Sequence, residues 1–100
     1  MTPYRVYITP GALKETKGLP GHVRQRVIRT ISTLSEEPRP SHSHELHQTA
    51  LPVELRRIRL LRWRIVYAVS DEDRVVDVFA VRRRPPYDYG DLSDLLQQLG

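Results

Sequence analysis

The sequence predicts an α+β domain in which two helices pack on one face of a single sheet of mainly antiparallel strands. Two patterns predict this class. Apolar residues recur at helical spacing between about residues 10 and 34, and apolar and charged residues alternate from about residue 53 onward. Successive strands joined by short turns pair antiparallel, and a one-sided helix needs an apolar surface to cover. We expect residues 1–100 to form a single domain.

The N-terminal segment predicts a strand followed by a short helix. Residues 4–8 alternate in the manner of a strand with one buried face. Thr9 is a suitable N-cap, and Pro10 is a favoured first helical residue because its missing N–H is not needed there. We expect the helix to end near Lys17, because Gly18 follows it.

A second helix is expected after Pro20-Gly21, completing a helical hairpin. Its apolar stripe consists of Val23, Val27, Ile31 and Leu34. This stripe predicts a helix with one buried side. Pro38 stops the helix. The segment 38–52 holds three prolines and three of the four histidines, which predicts a loop between the helices and the sheet.

Three strands are predicted in the second half of the chain, at about residues 53–60, 63–69 and 75–82. A tight turn joins the first two, and a polar turn joins the last two. Pro85-Pro86 ends the sheet, since proline cannot donate to a strand ladder. A short C-terminal helix is expected after Asp91, because leucines then recur along one side.

The expected register gathers arginines on one face of the sheet. A turn at Leu61-Arg62 places Arg59 opposite Arg64, and a five-residue loop pairs Val69 with Val75. The residues on this face are then Arg57, Arg59, Arg64, Arg82 and Arg84, together with Val76, Val78 and Ala80. The apolar residues expected under the helices are Ile58, Leu60, Trp63, Ile65, Tyr67, Phe79 and Val81. Asp77 falls on this apolar side, where nothing in the sequence explains it.

Charge and composition favour an anionic partner. The formal net charge is +4 and the isoelectric point is about 9.9, which favours nucleic acid or an acidic protein. Arginines on one face suit a phosphodiester chain, because a guanidinium bonds phosphate through two N–H groups. The alternative is that they only solvate an uncovered sheet face. With no cysteine and no apolar run that could cross a bilayer, we expect a cytoplasmic protein without a membrane partner.

Several segments together resemble the RelE/ParE toxins of bacterial type II toxin-antitoxin systems. The resemblance rests on a basic strand with Arg57 and Arg59, an aromatic-Arg-apolar-apolar-Tyr strand at residues 63–67, and a last strand ending in basic residues before Tyr87. It covers nearly the whole chain. It implies a RelE-like fold with an N-terminal strand, a helical hairpin, antiparallel strands in one sheet and a short C-terminal helix. It also implies a cognate antitoxin protein as partner.

The resemblance implies one of two activities. RelE-like members cleave mRNA in the ribosomal decoding site, whereas ParE-like members inhibit DNA gyrase. The catalytic residues it carries over are Arg57, Arg59, Arg64, Arg84 and one of Tyr87 and Tyr89. The arginines expected to contact RNA around them are Arg56, Arg62, Arg82 and Arg83. We expect a ribosome-dependent mRNA endoribonuclease, with a gyrase inhibitor without nuclease activity or a catalytically silent RNA-binding module as alternatives. The relatives place lysines where this chain has Arg57 and Arg59.

The expected reaction needs no metal ion and no small-molecule cofactor. RNA cleavage requires that the 2′-hydroxyl lose a proton, that the 5′-oxygen gain one, and that the charge of the phosphorane be stabilised. Arginine suits the third role but is a poor base, because its pKa exceeds about 12. Tyr87 or Tyr89 is a candidate for proton transfer or for stacking on a base. The alternative for both is packing against the C-terminal helix.

The histidine-rich segment 42–47 is a second candidate site. Its His-x-His spacing beside a glutamate is compatible with zinc or nickel. It lacks a helical His-Glu-x-x-His arrangement and an evident distant fourth ligand, so we expect a surface loop and no metal. One of these histidines still has the chemistry to serve the arginines as an acid or base.

Overall fold

The computed structural model describes residues 3–46 and 53–83, in which two helices cover one face of a five-stranded sheet. The elements are β1 (Arg5–Ile8), α1 (Pro10–Lys17), α2 (Gly21–Thr33), β2 (Ser43–Leu46), β3 (Glu54–Leu60), β4 (Trp63–Ser70) and β5 (Val75–Arg83). The strand order is β1-β5-β4-β3-β2, with β1 parallel to β5 and every other pair antiparallel. The predicted α+β class is confirmed. Neither of these helices has the length and apolar character to cross a membrane.

Local chemistry fixes the limits of α1 as the sequence predicts. The Thr9 hydroxyl accepts the N–H of Ala12 at 3.2 Å, which satisfies one of the free donors at the helix start. The Gly18 N–H donates to the carbonyls of Lys14 and Glu15 and so closes the last turn. The helix therefore ends at a fixed point and α2 begins at Gly21.

The main core lies between the helices and one sheet face. The apolar stripe of α2 is at most 3% exposed, as its spacing predicts. It packs with Ala12 of α1 and with sheet residues Ile58, Ile65, Tyr67, Val69, Val76, Val78 and Val81. The Tyr67 hydroxyl donates to the Pro38 carbonyl at 2.8 Å, which ties the segment after α2 to the core. Burial raises the pKa of this phenol.

The prediction of a loop throughout residues 38–52 is wrong, because residues 43–46 form the edge strand β2. Ser43 pairs with Ile58 and Leu46 pairs with Leu55. Serine, histidine and glutamate have no strong strand preference, so local sequence gives little sign of this strand. Its backbone is ordered by hydrogen bonding to β3, which is a tertiary effect.

The predicted register of β4 with β5 is wrong, although the predicted face of Ala80 and Arg82 is correct. The expected pairing of Val69 with Val75 would place Ala80 opposite Arg64, whereas Val69 pairs with Val76. Arg64 pairs with Arg82 and Val66 with Ala80, but Tyr67 then pairs with Val78. One extra residue, Phe79, is accommodated as a β-bulge, which reverses the faces of the residues before it. Val76 and Val78 therefore face the helices, whereas they were expected on the arginine side.

Because of the bulge, two further residues lie on the sheet face opposite to the one expected. Phe79 lies in a second apolar cluster with Leu55, Val66 and Ala80, on the face away from the helices. Asp77 pairs with Ala68 and shares that face, so it is not buried in the main core as the unbroken alternation required. Partial burial still raises the pKa of its carboxyl. The predicted C-terminal helix lies outside the described residues.

Candidate nucleic-acid interface

Three arginines form a row across the three central strands, one residue from the end of each strand. Arg59 of β3 pairs with Arg64 of β4, and Arg64 pairs with Arg82 of β5. Neighbouring strands are about 4.8 Å apart, so the row spans roughly 10 Å. Together with Arg57 it defines what we call the arginine face, which is the sheet face opposite the helices. The expected turn at Leu61 and the pairing of Arg59 with Arg64 are confirmed.

Arg64 is the buried member of the row. Only 6% of this residue is exposed, which is rare for a charged side chain. Its Nη1 donates to the carbonyl oxygen of Trp63 at 3.0 Å. Because burial and this hydrogen bond restrict the guanidinium, its position is fixed before any ligand arrives. A solvated surface arginine has neither property, so this observation argues against a purely solvating role.

Arg82 is held by a helix that packs beside β5. Its Nε donates to Glu15 Oε2 of α1 at 3.0 Å, and Glu15 Oε1 accepts the Val81 backbone N–H at the same distance. One carboxylate therefore binds both the β5 backbone and the arginine side chain. This contact joins residues far apart in sequence, and nothing in the local pattern around Glu15 predicts it.

Arg57 lies two residues from the row, opposite Val66 of β4 and His44 of β2. Its Nε is buried and has no hydrogen-bond partner among the residues described. The second apolar cluster, which includes Val66 and Ala80, lies beside it. Apolar surroundings lower the local dielectric and strengthen the interaction of a cation with an anion.

The structure places Arg56 away from this group, on the helix side of the sheet. Its Nε donates to the Ser43 hydroxyl at 2.9 Å, and its Nη1 lies 3.1 Å from Glu54 Oε2. Glu54 also accepts two hydrogen bonds from Arg39, at 2.7 and 2.8 Å. Arg39 holds the pKa of Glu54 below its ordinary value, with a smaller contribution from Arg56. Arg56 thus has a structural role in which its guanidinium is already engaged.

Arg39 extends this network to the turn between β4 and β5. Its Nη2 donates to Asp71 Oδ2 at 2.9 Å, and the Tyr4 hydroxyl donates to the other oxygen of that carboxylate. Both contacts lower the pKa of Asp71, the tyrosine more than the arginine. The Arg74 guanidinium lies 5.3 Å from the centre of the Tyr4 ring. The network links the start of β1, the segment after α2, β3 and this turn.

Of the remaining predicted site residues, two arginines are described by the structure and three residues are not. Arg62 is exposed in the turn between β3 and β4, at the edge of the arginine face. Arg83 is exposed and pairs with Trp63, whose side chain packs on the helix side, so the structure does not bring Arg83 into the row. The candidates Arg84, Tyr87 and Tyr89 lie outside the described residues.

Alternation along β2 separates the members of the histidine-rich segment. His44 and Leu46 lie on the arginine face, whereas Ser43 and Glu45 lie on the helix side. His42 is in the preceding turn and His47 is outside the described residues. Residues 3–46 and 53–83 contain no group of three or more histidine, aspartate or glutamate side chains placed to hold a metal ion.

Comparisons with known proteins find similarity to toxins of toxin-antitoxin systems. Residues 6–85 match the family model described as ParE toxin of type II toxin-antitoxin system, parDE. The chain is 27% identical over 81 residues to a curated protein of Methanocaldococcus jannaschii named as the toxin RelE1, covering 81% of this chain and 90% of that protein.

Solved structures of RelE proteins share the fold. The archaeal RelE-RelB complex from Pyrococcus horikoshii contains a chain that is 29% identical, with a TM-score of 0.74 over 87% of this chain and 100% of that one. The isolated E. coli RelE toxin is 25% identical, with a TM-score of 0.67 over 97% and 99% of the two chains. The similarity thus extends over most of this chain and over nearly the full length of the RelE chains.

Proposed function

The chain belongs to the RelE/ParE family of toxins of type II toxin-antitoxin systems, and we propose that it inhibits translation by cleaving mRNA on the ribosome. In this proposed role the protein is an endoribonuclease that acts in the cytoplasm and needs no metal ion or organic cofactor. Its substrate is translated mRNA. Arg57, Arg59, Arg64 and Arg84 hold the scissile phosphate, and Tyr87 or Tyr89 contributes a proton or stacks on a base.

The row of Arg59, Arg64 and Arg82 is the observation that carries this proposal. Cleavage by the 2′-hydroxyl adds negative charge to the phosphate in the transition state, and a fixed cation stabilises that charge without reorganising. Arg64 meets the requirement because it is buried and hydrogen-bonded to the backbone. Arg59 is exposed at the end of the row, where an RNA phosphate has access. Arg62 lies further out, in the turn between β3 and β4, where it would contact a neighbouring phosphate.

A protein antitoxin is the proposed partner in the resting cell. The similar chain from Pyrococcus horikoshii was solved in complex with RelB. The net charge of +4 and the arginine face favour an acidic segment that covers these arginines or displaces the helix predicted at the C-terminus. A segment that folds on binding would supply both acidic and apolar contacts.

The second candidate function is inhibition of DNA gyrase without nuclease activity. It is favoured by the family model, whose description is of ParE toxins. A gyrase inhibitor does not need a preorganised phosphate site, which is why the buried Arg64 favours the nuclease. A catalytically silent RNA-binding module is the third candidate. It needs the cations but no group for proton transfer.

Mapping of transcripts by primer extension after brief induction distinguishes these candidates. The nuclease predicts cuts positioned in the reading frame of translated mRNA, whereas the gyrase inhibitor predicts intact mRNA and DNA damage. Purified protein and programmed ribosomes should reproduce the cuts. Arg59→Ala should reduce cleavage by roughly 10²-fold or more, as removal of a charge-stabilising group commonly does. Arg26→Ala, which removes an exposed arginine from α2, is the matched control and should cleave normally.

Removal of divalent metal from the protein should leave its activity unchanged. Pre-treatment of the purified toxin with EDTA, followed by assay on ribosomes in their usual magnesium buffer, should give the wild-type rate of cleavage. The physical reason is that arginines supply the positive charge that a metal would otherwise provide. Loss of activity that zinc or nickel restores would instead implicate the histidine-rich segment.

A further inference from the structure

The four arginines described on the arginine face supply no group that accepts a proton near neutral pH. Arginine stays protonated at that pH and so cannot take the proton of a 2′-hydroxyl. Asp77 shares the face, but it lies five positions along β5 from Arg82, a distance of about 16 Å at ~3.3 Å per residue. Glu15 contacts Arg82, but its two carboxylate oxygens already accept hydrogen bonds from Arg82 and from the Val81 N–H. Among the described residues, the titratable side chain other than arginine that lies directly opposite one of the four arginines on a neighbouring strand is His44.

The edge strand β2 determines where His44 points. The hydroxyl of neighbouring Ser43 donates to the Pro40 carbonyl at 2.7 Å and accepts the Nε–H of Arg56 at 2.9 Å on the helix side. Ser43 is buried there. Because successive strand residues point to opposite faces, fixing Ser43 on one side fixes His44 on the other. His44 is exposed and accessible to substrate.

The neighbours of His44 suit a role in the reaction. Directly opposite is Arg57, and Cβ atoms of such cross-strand pairs are about 4.5–5.5 Å apart. Arg57 is the charged group that faces His44 from β3, with Arg59 two residues further along. Glu45 lies on the other face, and Leu46 packs in the second apolar cluster. A phosphate bound by Arg57 and Arg59 would therefore bring its ribose close to the imidazole.

We propose that His44 is the general base of the mRNA cleavage, an inference that rests on the nuclease function proposed above. The imidazole takes the proton of the 2′-hydroxyl, and the 2′-oxygen forms a bond to phosphorus. The bond from phosphorus to the 5′-oxygen breaks, and that oxygen leaves with a proton from water or a tyrosine hydroxyl. The products are a 2′,3′-cyclic phosphate and a 5′-hydroxyl. No oxidant, reductant or metal is required.

The test compares His44→Gln with His22→Gln in single-turnover cleavage of mRNA on ribosomes. His22 is an exposed histidine at the start of α2, in the layer on the other side of the sheet, so its variant is the matched control. His44→Gln should cleave roughly 10²–10⁴-fold more slowly, the usual contribution of a general base. Its affinity for ribosomes should stay within a few-fold of wild type.

The pH profile provides a readout that a structural role would not change. Wild-type and His22→Gln rates should fall as the solution becomes acidic, because a protonated imidazole cannot accept a proton. His44→Gln should lose this acidic limb. A substrate with a 5′-bridging sulfur, whose leaving group needs no proton, should remain slow with His44→Gln. Recovery to the wild-type rate would make His44 the acid and overturn the proposal.

The outcomes separate this inference from the nuclease proposal. If wild type and the control cut mRNA and His44→Gln cuts at the same rate with the same acidic limb, His44 is not the base and the nuclease stands. If wild type makes no cut on ribosomes under conditions in which it inhibits growth, the nuclease proposal itself fails. A slow His44→Gln variant that also loses ribosome binding would assign His44 to binding and overturn its role as base.

Discussion

Arg64 differs from an ordinary surface arginine in its environment. Its neighbours across the sheet, Arg59 and Arg82, are also cations, and like charges at directly paired positions destabilise a sheet. Glu15 offsets the charge of Arg82 through a 3.0 Å ion pair. A charged side chain as buried as Arg64 is uncommon, and a residue selected for stability alone is usually apolar at such a position. The choice of arginine is consistent with a site that binds an anion.

We predict that Arg64→Ala and Arg84→Ala each remove most of the toxicity. Loss of a fixed cation beside the reacting phosphate costs on the order of 2.7–4 kcal/mol of transition-state stabilisation, or roughly 10²–10³ in rate. Arg64→Lys should be intermediate, because it keeps the charge but loses the planar fork. Growth inhibition and cleavage on ribosomes are the measurements. Normal toxicity of either alanine variant, with its fold confirmed by circular dichroism, would remove that residue from the site.

At the scale of single elements, the hairpin of β3 and β4 sets the arginine register through an unfavourable turn. Leu61 has φ of 58°, in the left-handed region that costs non-glycine residues about 1–2 kcal/mol. The two-residue connection nevertheless pairs Leu60 with Trp63 and therefore Arg59 with Arg64. The side chain of Leu61 is 55% exposed, so core packing does not explain the choice of residue.

Leu61→Gly should raise the free energy of unfolding by about 1 kcal/mol, because glycine adopts positive φ without strain. Leu61→Ala is the matched control, since it removes the same side-chain atoms beyond Cβ but keeps the strain. Urea denaturation of both variants measures the difference. An equal change in both would show that the exposed side chain, and not the backbone, determines the effect.

At the scale of the whole molecule, the hydrogen bonds from Arg39 to Glu54 and Asp71 connect the sheet to the segment after α2. Arg39 holds both oxygens of Glu54 and one oxygen of Asp71, and these residues come from separate parts of the chain. Contacts with Arg39 and Tyr4 lower the pKa values of the two carboxyls. A lowered pKa in the folded state means that ionisation favours folding. The resulting stability is present at neutral pH.

This stability should be lost in acid. Since the folded pKa of Glu54 is depressed, its contribution is complete above the unfolded value of about 4.3 and disappears as pH falls through the folded value. Glu54→Gln should be less stable than wild type at pH 7, on the order of 1–3 kcal/mol, and the two should converge in acid. Urea titrations from pH 7 to 3 test this. Glu36→Gln, at an exposed position, should follow wild type throughout, and an equal loss in that control would refute the assignment to Glu54.

Binding of the antitoxin should weaken as salt is added. The +4 chain presents an arginine face, and attraction between exposed charges is screened beyond about 8–10 Å at physiological ionic strength. Titration calorimetry with the purified antitoxin between about 50 mM and 500 mM salt measures the effect. Arg59→Ala should reduce the dependence on salt. An affinity that stays flat would mean that the arginine face is left open in the complex and that inhibition acts by blocking entry to the ribosome.

Local patterns in the sequence determine most of the elements. The N-cap at Thr9, the buried stripe of α2 and the three strands of the second half follow from spacing and end signals, because these depend on residues close in the chain. The pairing of Arg59 with Arg64 could be predicted as well, since a two-residue turn leaves one register for β3 and β4. The pairing of Arg64 with Arg82 differs from the expected register of β4 and β5. The assignments of Arg84, Tyr87 and Tyr89 depend on the sequence alone and remain predictions.

The tertiary structure decides the features that depend on distant contacts. The bulge at Phe79 exchanges the faces of Val76 to Val78, because packing against the helices outweighs regular alternation. The strand that orients His44 forms because β3 offers it hydrogen-bonding partners, and its own residues give little preference. The ion pair of Arg82 with Glu15 and the structural role of Arg56 likewise join separate segments. Such contacts form only in the folded chain, and no spacing along the sequence encodes them.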